Sequence, residues 1–160
     1  MNNRSYTIIV FCFFILFTSN FATAQWSTDP SVNTPVCIES GDQGSPAIVH
    51  SADGGTIIAW CDFSSTAVSG KIFAQKFSVT GEPMWGNSGI LVFAADEKDY
   101  RRPFVVADSY GGAFISAFAD SSDGHDEFIM IQRTGTNGEL LWGATGNCLF
   151  SQGGHDIWAE

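Results

Sequence analysis

From residue 46 onward the chain alternates short apolar runs with glycine-rich polar stretches, and no segment sustains helical spacing. The runs PAIVH (46–50), TIIAWCD (56–62) and KIFAQKF (71–77) read as three strands. PMWGNSGILVF (83–93) reads as a fourth. Paired glycines at Gly54-Gly55 predict a tight hairpin between the first two, because glycine accepts positive φ cheaply. A leading proline suits the first residue of a strand, where no ladder donor is needed. The same four-strand pattern follows again: PFVVA (103–107), AFISAFAD (113–120), FIMIQR (128–133) and LLWGATGNCLF (140–150).

The second pattern is a copy of the first, displaced by 57 residues without a gap. Pro46 falls on Pro103, Val49 on Val106, Gly54-Gly55 on Gly111-Gly112, and Gln75 on Gln132. GEPMWGNSG then falls on GELLWGATG, which matches Gly81 with Gly138, Trp85 with Trp142, and Gly89 with Gly146. Phe93 falls on Phe150. The middle strands are apolar on both faces: Ile57 and Ala59 point one way, Ile58 and Trp60 the other. Two-sided burial predicts sheets stacked against neighbours, as the blades of a β-propeller are.

The expected fold class is therefore all-β, with tandem four-stranded antiparallel blades of an incomplete β-propeller: about two blades plus a leading strand. The units are 46–102 and 103–159, and residues 25–45 hold the leading outer strand, with Trp26 in the role of Trp85, and a linker. A closed ring takes roughly four to eight blades. The chain is accordingly expected to be part of a longer protein, whose missing blades complete the ring.

The N-terminus reads as an export signal. Arg4 precedes the apolar run TIIVFCFFILF (7–17), and ATA (22–24) supplies a small-x-small cleavage site, so residues 1–24 are expected to be removed. The run falls short of the ~20 apolar residues that span a bilayer, so no membrane span is expected after cleavage. The protein is expected to be secreted or held at a bacterial cell surface. The remainder keeps six Lys and Arg against 17 Asp and Glu. That acidity argues against a nucleic-acid partner, since phosphate backbones would be repelled. Cys37, Cys61 and Cys148 remain; an exported chain permits one disulfide, and the spacing leaves its pairing open.

The succession P-x-[IV]-V, GG-x-[IF]-I, I-x-x-Q-[KR] and G-E-x-x-W-G-x-x-G resembles propeller repeats of secreted bacterial surface proteins. IFAQKFSVTGEPMW also resembles the strand–turn–strand of quinoprotein-type repeats, in which a Thr-Gly pair turns the chain and a Trp docks between blades. The resemblance implies a propeller fold and carries over no cofactor.

Positions kept in both units serve what both units share. Gly54, Gly55, Gln75, Gly81, Trp85 and Gly89, with Gly111, Gly112, Gln132, Gly138, Trp142 and Gly146, are therefore read as structural. A chemical site is expected where the units differ. The acidic loop DSSDGHDE places Asp120, Asp123, Asp126 and Glu127 around a glycine, a set of hard oxygens suited to Ca²⁺, although the D-x-D-x-D-G spacing of a calcium loop is absent. The charged connection DEKDYRRP (96–103) is read as a solvated linker. No catalytic residue and no cofactor is assigned, because no nucleophile, metalloprotease or nucleotide motif is present. The reading is a non-enzymatic surface module for binding a glycan or protein. Part of a propeller-type polysaccharide hydrolase or lyase, and a structural spacer, are the alternatives.

Overall fold

The computed structural model describes residues 29, 31–63, 69–94 and 98–153. The expected signal peptide (1–24) and Trp26 lie outside these residues. Eight strands follow one another: β1 Gln43–His50, β2 Thr56–Asp62, β3 Lys71–Phe77, β4 Ile90–Phe93, β5 Lys98–Ala107, β6 Ala113–Ser121, β7 Asp126–Thr134 and β8 Asn147–Gly153. They form two four-stranded antiparallel sheets, each in chain order, β1-β2-β3-β4 and β5-β6-β7-β8. The described residues contain no helix. The two sheets do not close on each other. Residues 31–42, placed by the sequence within a leading strand and linker, form turns and bends with no strand.

The register preserves the 57-residue offset. Ile57 pairs with Val49 and Lys76, while Phe114 pairs with Val106 and Arg133. The turns are preserved too, and they differ from the tight two-glycine hairpin that the sequence suggests. Each spans five residues: 51–55, 78–82, 108–112 and 135–139. In every one the first N–H donates to the fifth carbonyl; in 51–55, 78–82 and 135–139 the fourth N–H donates back to the first carbonyl, and in 108–112 Asp108 Oδ1 accepts the N–H groups of Tyr110 and Gly112. The fourth residue is Gly54, Gly81, Gly111 or Gly138, with φ between 86° and 88°. A side chain there would be forced into the left-handed region, so one turn type accounts for these four glycines.

Two expectations about strand ends need correction. Pro46 and Pro103 do not begin their strands; β1 and β5 start upstream, and each proline sits at a β-bulge. Both strands lie at sheet edges, where a missing donor and a bulge cost least. The residue before each proline, Ser45 or Arg102, has φ of 50° or 49°. A side chain in this region costs about 1–2 kcal/mol, and glycine would remove that cost at some loss of unfolded-state entropy. Ser45→Gly and Arg102→Gly should each raise stability by about 0.5–1 kcal/mol in urea unfolding. A loss in both would contradict the strain at the bulge. The fourth strand is also shorter than expected. Pro83 forms a single bridge with Phe77, and the ladder with β3 resumes only at Ile90–Phe93, because Gly86 and Gly89 at φ 81° and 79° turn the chain between them; Leu140, Gly143 and Gly146 repeat this before β8.

The core lies between the sheets. Ile57, Ala59 and Cys61 of β2, with Ile72 and Ala74 of β3, pack in one cluster with Tyr100, Ala113, Ile115, Ala117 and Ala119 of the second sheet. β5 is the strand that touches β1, β2 and β3. Phe93 closes one end by stacking on Tyr100 at 5.4 Å between ring centroids. The first sheet is buried on both sides of β2, where Trp60 stacks on Phe73 away from the second sheet. The second sheet is not. Along β6 the alanines and Ile115 are buried, and Phe114, Ser116 and Phe118 between them are half-exposed. Burial on two sides is thus a property of the first sheet alone among the described residues.

Candidate functional site

The side chains that the repeat keeps do similar work in both units. Gln75 is fully buried; its Nε2 donates to the Gly86 carbonyl at 2.6 Å, and its Oε1 accepts from the N–H groups of Trp85 and Lys76. Gln132 repeats this with Gly143, Trp142 and Arg133. One amide therefore satisfies three backbone groups and fixes the turn that carries the Trp.

Trp85 and Trp142 then part company. The Trp85 indole is 3 % exposed and its Nε1 donates to the Thr136 carbonyl of the second sheet at 3.0 Å. Its ring lies against Gly138, where a Cβ would come within 3.0 Å of it. The Trp of the first nine-residue phrase thus docks on the opening glycine of the second. Trp142 is 36 % exposed and touches Phe114 of its own sheet.

A pair of cations, absent from the sequence-level candidates, occupies matching positions. Lys76 on β3 is completely buried. Its ammonium donates to Asp53 Oδ2 at 2.5 Å, to the Gly111 carbonyl at 2.7 Å and to Thr136 Oγ1 at 3.3 Å. The last two acceptors belong to turns of the second sheet, so Lys76 pins one sheet to the other. Ser51 adds a bond from its Oγ to the same Gly111 carbonyl. Arg133, one repeat later, turns back on its own unit: it donates to Asp108 Oδ2 from Nε and Nη2 and lies over the Tyr110 and Phe114 rings. The signal in the sequence was a basic residue directly after the repeated glutamine, Lys76 in one unit and Arg133 in the next.

Both partner carboxylates sit below the ordinary range. Lys76 is the main cause for Asp53. For Asp108 burial pushes upward, and the Arg133 bonds with the N–H groups of Tyr110 and Gly112 outweigh it. Each depressed group contributes stability that is complete above the unfolded value of about 4 and lost as pH falls through the folded value. Stability should therefore stay level down to about pH 5 and decline below about pH 4, and Asp53→Asn with Asp108→Asn should flatten that decline. Urea midpoints measured from pH 2.5 to 7 check this; an unchanged acid slope in the double variant would contradict it.

The acidic loop is a hairpin turn between β6 and β7. Asp120 and Glu127 face each other in register, and Arg101 bridges them, in contact with Asp120 Oδ2 and 3.7 Å from Glu127. Asp123 Oδ1 accepts from Ser121 Oγ and from the His125 N–H, which shapes the turn. Asp126 opens β7, with its N–H on Ser121 Oγ. Among the described residues no three His, Cys, Asp or Glu side chains converge as a metal-holding group. The DEKDYRRP connection is not a solvated linker from Lys98 onward: it forms the start of β5, where Asp99 Oδ1 accepts the Gly70 N–H at 2.6 Å. Cys37, Cys61 and Cys148 are all free thiols; burial raises the pKa of Cys61.

One cleft of about 270 Å³ lies on the outer side of the first sheet, lined by Val36, Cys37, Gln43, Pro46, Ile58 and Trp60 among others. The Trp60 Nε1 is buried without a hydrogen-bond partner. The geometry of the whole supports sheet-to-sheet attachment. No known protein family, no characterised protein and no solved structure matches this chain.

Proposed function

We propose that this chain is an exported, non-enzymatic β-propeller module of a larger surface protein that binds glycan or protein. The observation that supports this most is the way the two repeats are joined. Trp85 and Lys76 of one unit bond to the turn of the next, so successive sheets stack in one direction. Directional stacking of equal units is what builds propeller and solenoid scaffolds, whose loops and faces serve recognition. The buried polar side chains support the same reading. Lys76, Gln75 and Gln132, together with the Arg133–Asp108 pair, are each committed to holding a turn or a sheet contact. Residues so committed serve architecture, and the chain's contribution to its host is a surface.

The test is a glycan and protein array probed with the full-length product after export. Binding to one ligand class, without turnover of that ligand, is the expected result. Turnover of a polysaccharide would replace this reading with that of a propeller hydrolase or lyase. Absence of both binding and turnover would leave a structural spacer.

A further inference from the structure

The two faces that the repeat makes equivalent have different surroundings. The inner face of the first sheet carries Val49, Ile57, Lys76, Trp85 and Phe93, and the second sheet covers it. One repeat later the same positions are Val106, Phe114, Arg133, Trp142 and Phe150, on the outer face of the second sheet. Here Val106 is 63 % exposed and Phe150 45 %, against 1 % for Phe93. Phe104, at 60 %, extends the patch along β5. Contiguous exposed aromatic and branched side chains of this kind mark a surface made to be covered.

We propose that this outer face of the second sheet is a docking face for a further four-stranded sheet of the same repeat, supplied by the same polypeptide and placed as the second sheet is placed on the first. This rests on the stacked-module reading above, and deepens it by naming the surface and its occupant. The chemistry of the occupant follows from the contact already formed. The face that meets Ile57 and Trp85 carries Ala113, Ile115, Ala117 and Ala119 along β6, with a glycine turn offering its carbonyl to a cation. A β-strand with the same Ala-x-Ile-x-Ala-x-Ala face fits beside Phe114 and Trp142 in the same way, and its turn carbonyl lies where Arg133 takes the place of Lys76.

A second copy of this chain fits less well. Its free sheet face is the outer side of the first sheet. Trp60 stands there at the position of Ala117, and residues 36–46 edge a cleft over it. The occupant is therefore a sheet in the same chain that carries a small residue where the first sheet has Trp60.

Oxidative footprinting with mass spectrometry reads each aromatic separately. Two proteins are compared: the full chain recovered after export, and the same chain followed by a second copy of residues 98–153. In the first, Trp142 should oxidise roughly ten times faster than Trp85, in line with 36 % against 3 % exposure. In the second, the rates of Trp142 and Phe150 should fall to that of Trp85. A lengthened chain that folds by circular dichroism but leaves Trp142 reactive overturns the proposal. So does a shorter chain that sediments as a dimer with Trp142 already protected, since the occupant is then a second copy. If the lengthened chain does not fold, Phe104→Ser/Val106→Thr/Phe150→Ser in the unlengthened chain decides. Its melting midpoint should stay within about 3 °C, as for exposed side chains. A much larger fall means that the face is packed within the chain, and overturns the proposal. An array that shows no ligand would sink the binding function and leave these results untouched.

Discussion

Trp85→Ala should lower the stability of this chain by about 4 kcal/mol, whereas Trp142→Ala should cost less than about 1 kcal/mol. The two residues hold the same place in the repeat, have the same backbone bond to a buried glutamine, and stand at the centre of the same nine-residue phrase. What differs is the neighbour. Removal of Trp85 empties a space bounded by Gly138 and Ile90, and strips the Thr136 carbonyl of its donor. A cavity of indole size costs the lost transfer energy and the lost contacts together, because the sheets cannot close over it without shifting two backbones. Trp142 lies at the surface, so its loss removes a contact with Phe114 and little else. Urea unfolding followed by far-UV circular dichroism compares the two without relying on the altered fluorophores. Equal losses would mean that the indole stabilises its own turn and not the junction.

Lys76→Met should cost about 2–3 kcal/mol, and the loss should persist in 1 M salt. The substitution keeps most of the apolar stem and removes the ammonium. The Gly111 carbonyl then loses its cation at the sheet junction, and Asp53 loses its partner. The figure sits below that for a fully buried pair because the Asp53 side chain is 45 % exposed and can turn toward water. Asp53→Asn should accordingly cost less than Lys76→Met. Salt insensitivity separates a buried pin from a surface ion pair, which screening would weaken. Denaturant midpoints at 0.1 and 1 M NaCl give the answer; a loss that vanishes at high salt would contradict it.

Much of the sheet structure was legible because strand and turn signals are local. TIIAWCD and KIFAQKF match β2 and β3 residue for residue. The fold class, all-β in four-stranded antiparallel sheets, follows from apolar runs separated by glycine turns. PMWGNSGILVF misled because its composition suits a strand throughout, while Gly86 and Gly89 adopt positive φ that only the folded chain displays. The prolines misled for a related reason. A missing donor is tolerated at a strand start and at an edge bulge alike, and sequence does not choose between them.

Site residues were less legible because their meaning depends on the neighbouring unit. Trp85 and Trp142 are alike in sequence and differ in exposure by the presence of a sheet. The Lys76–Gly111 bond spans 35 residues and two turns, and nothing local in KIFAQKF announces that its lysine is buried. In the acidic loop, charge density suggests a cation site, and the pairing of Arg101 from β5 with Asp120 and Glu127 is not visible in that local stretch.

Directional stacking, with each sheet clasping the turn of the next, is tested most directly by hydrogen exchange at the indole N–H groups, observed by ¹H–¹⁵N NMR. The Trp85 Nε1 proton, held by the Thr136 carbonyl at 3.0 Å between the sheets, should exchange slowly, in step with the core amides of β2 and β6. The Trp142 indole, a third exposed, should exchange at close to the free rate. If the two indoles exchange alike, Trp85 is not the bond between successive sheets, and the stacking described here is contradicted.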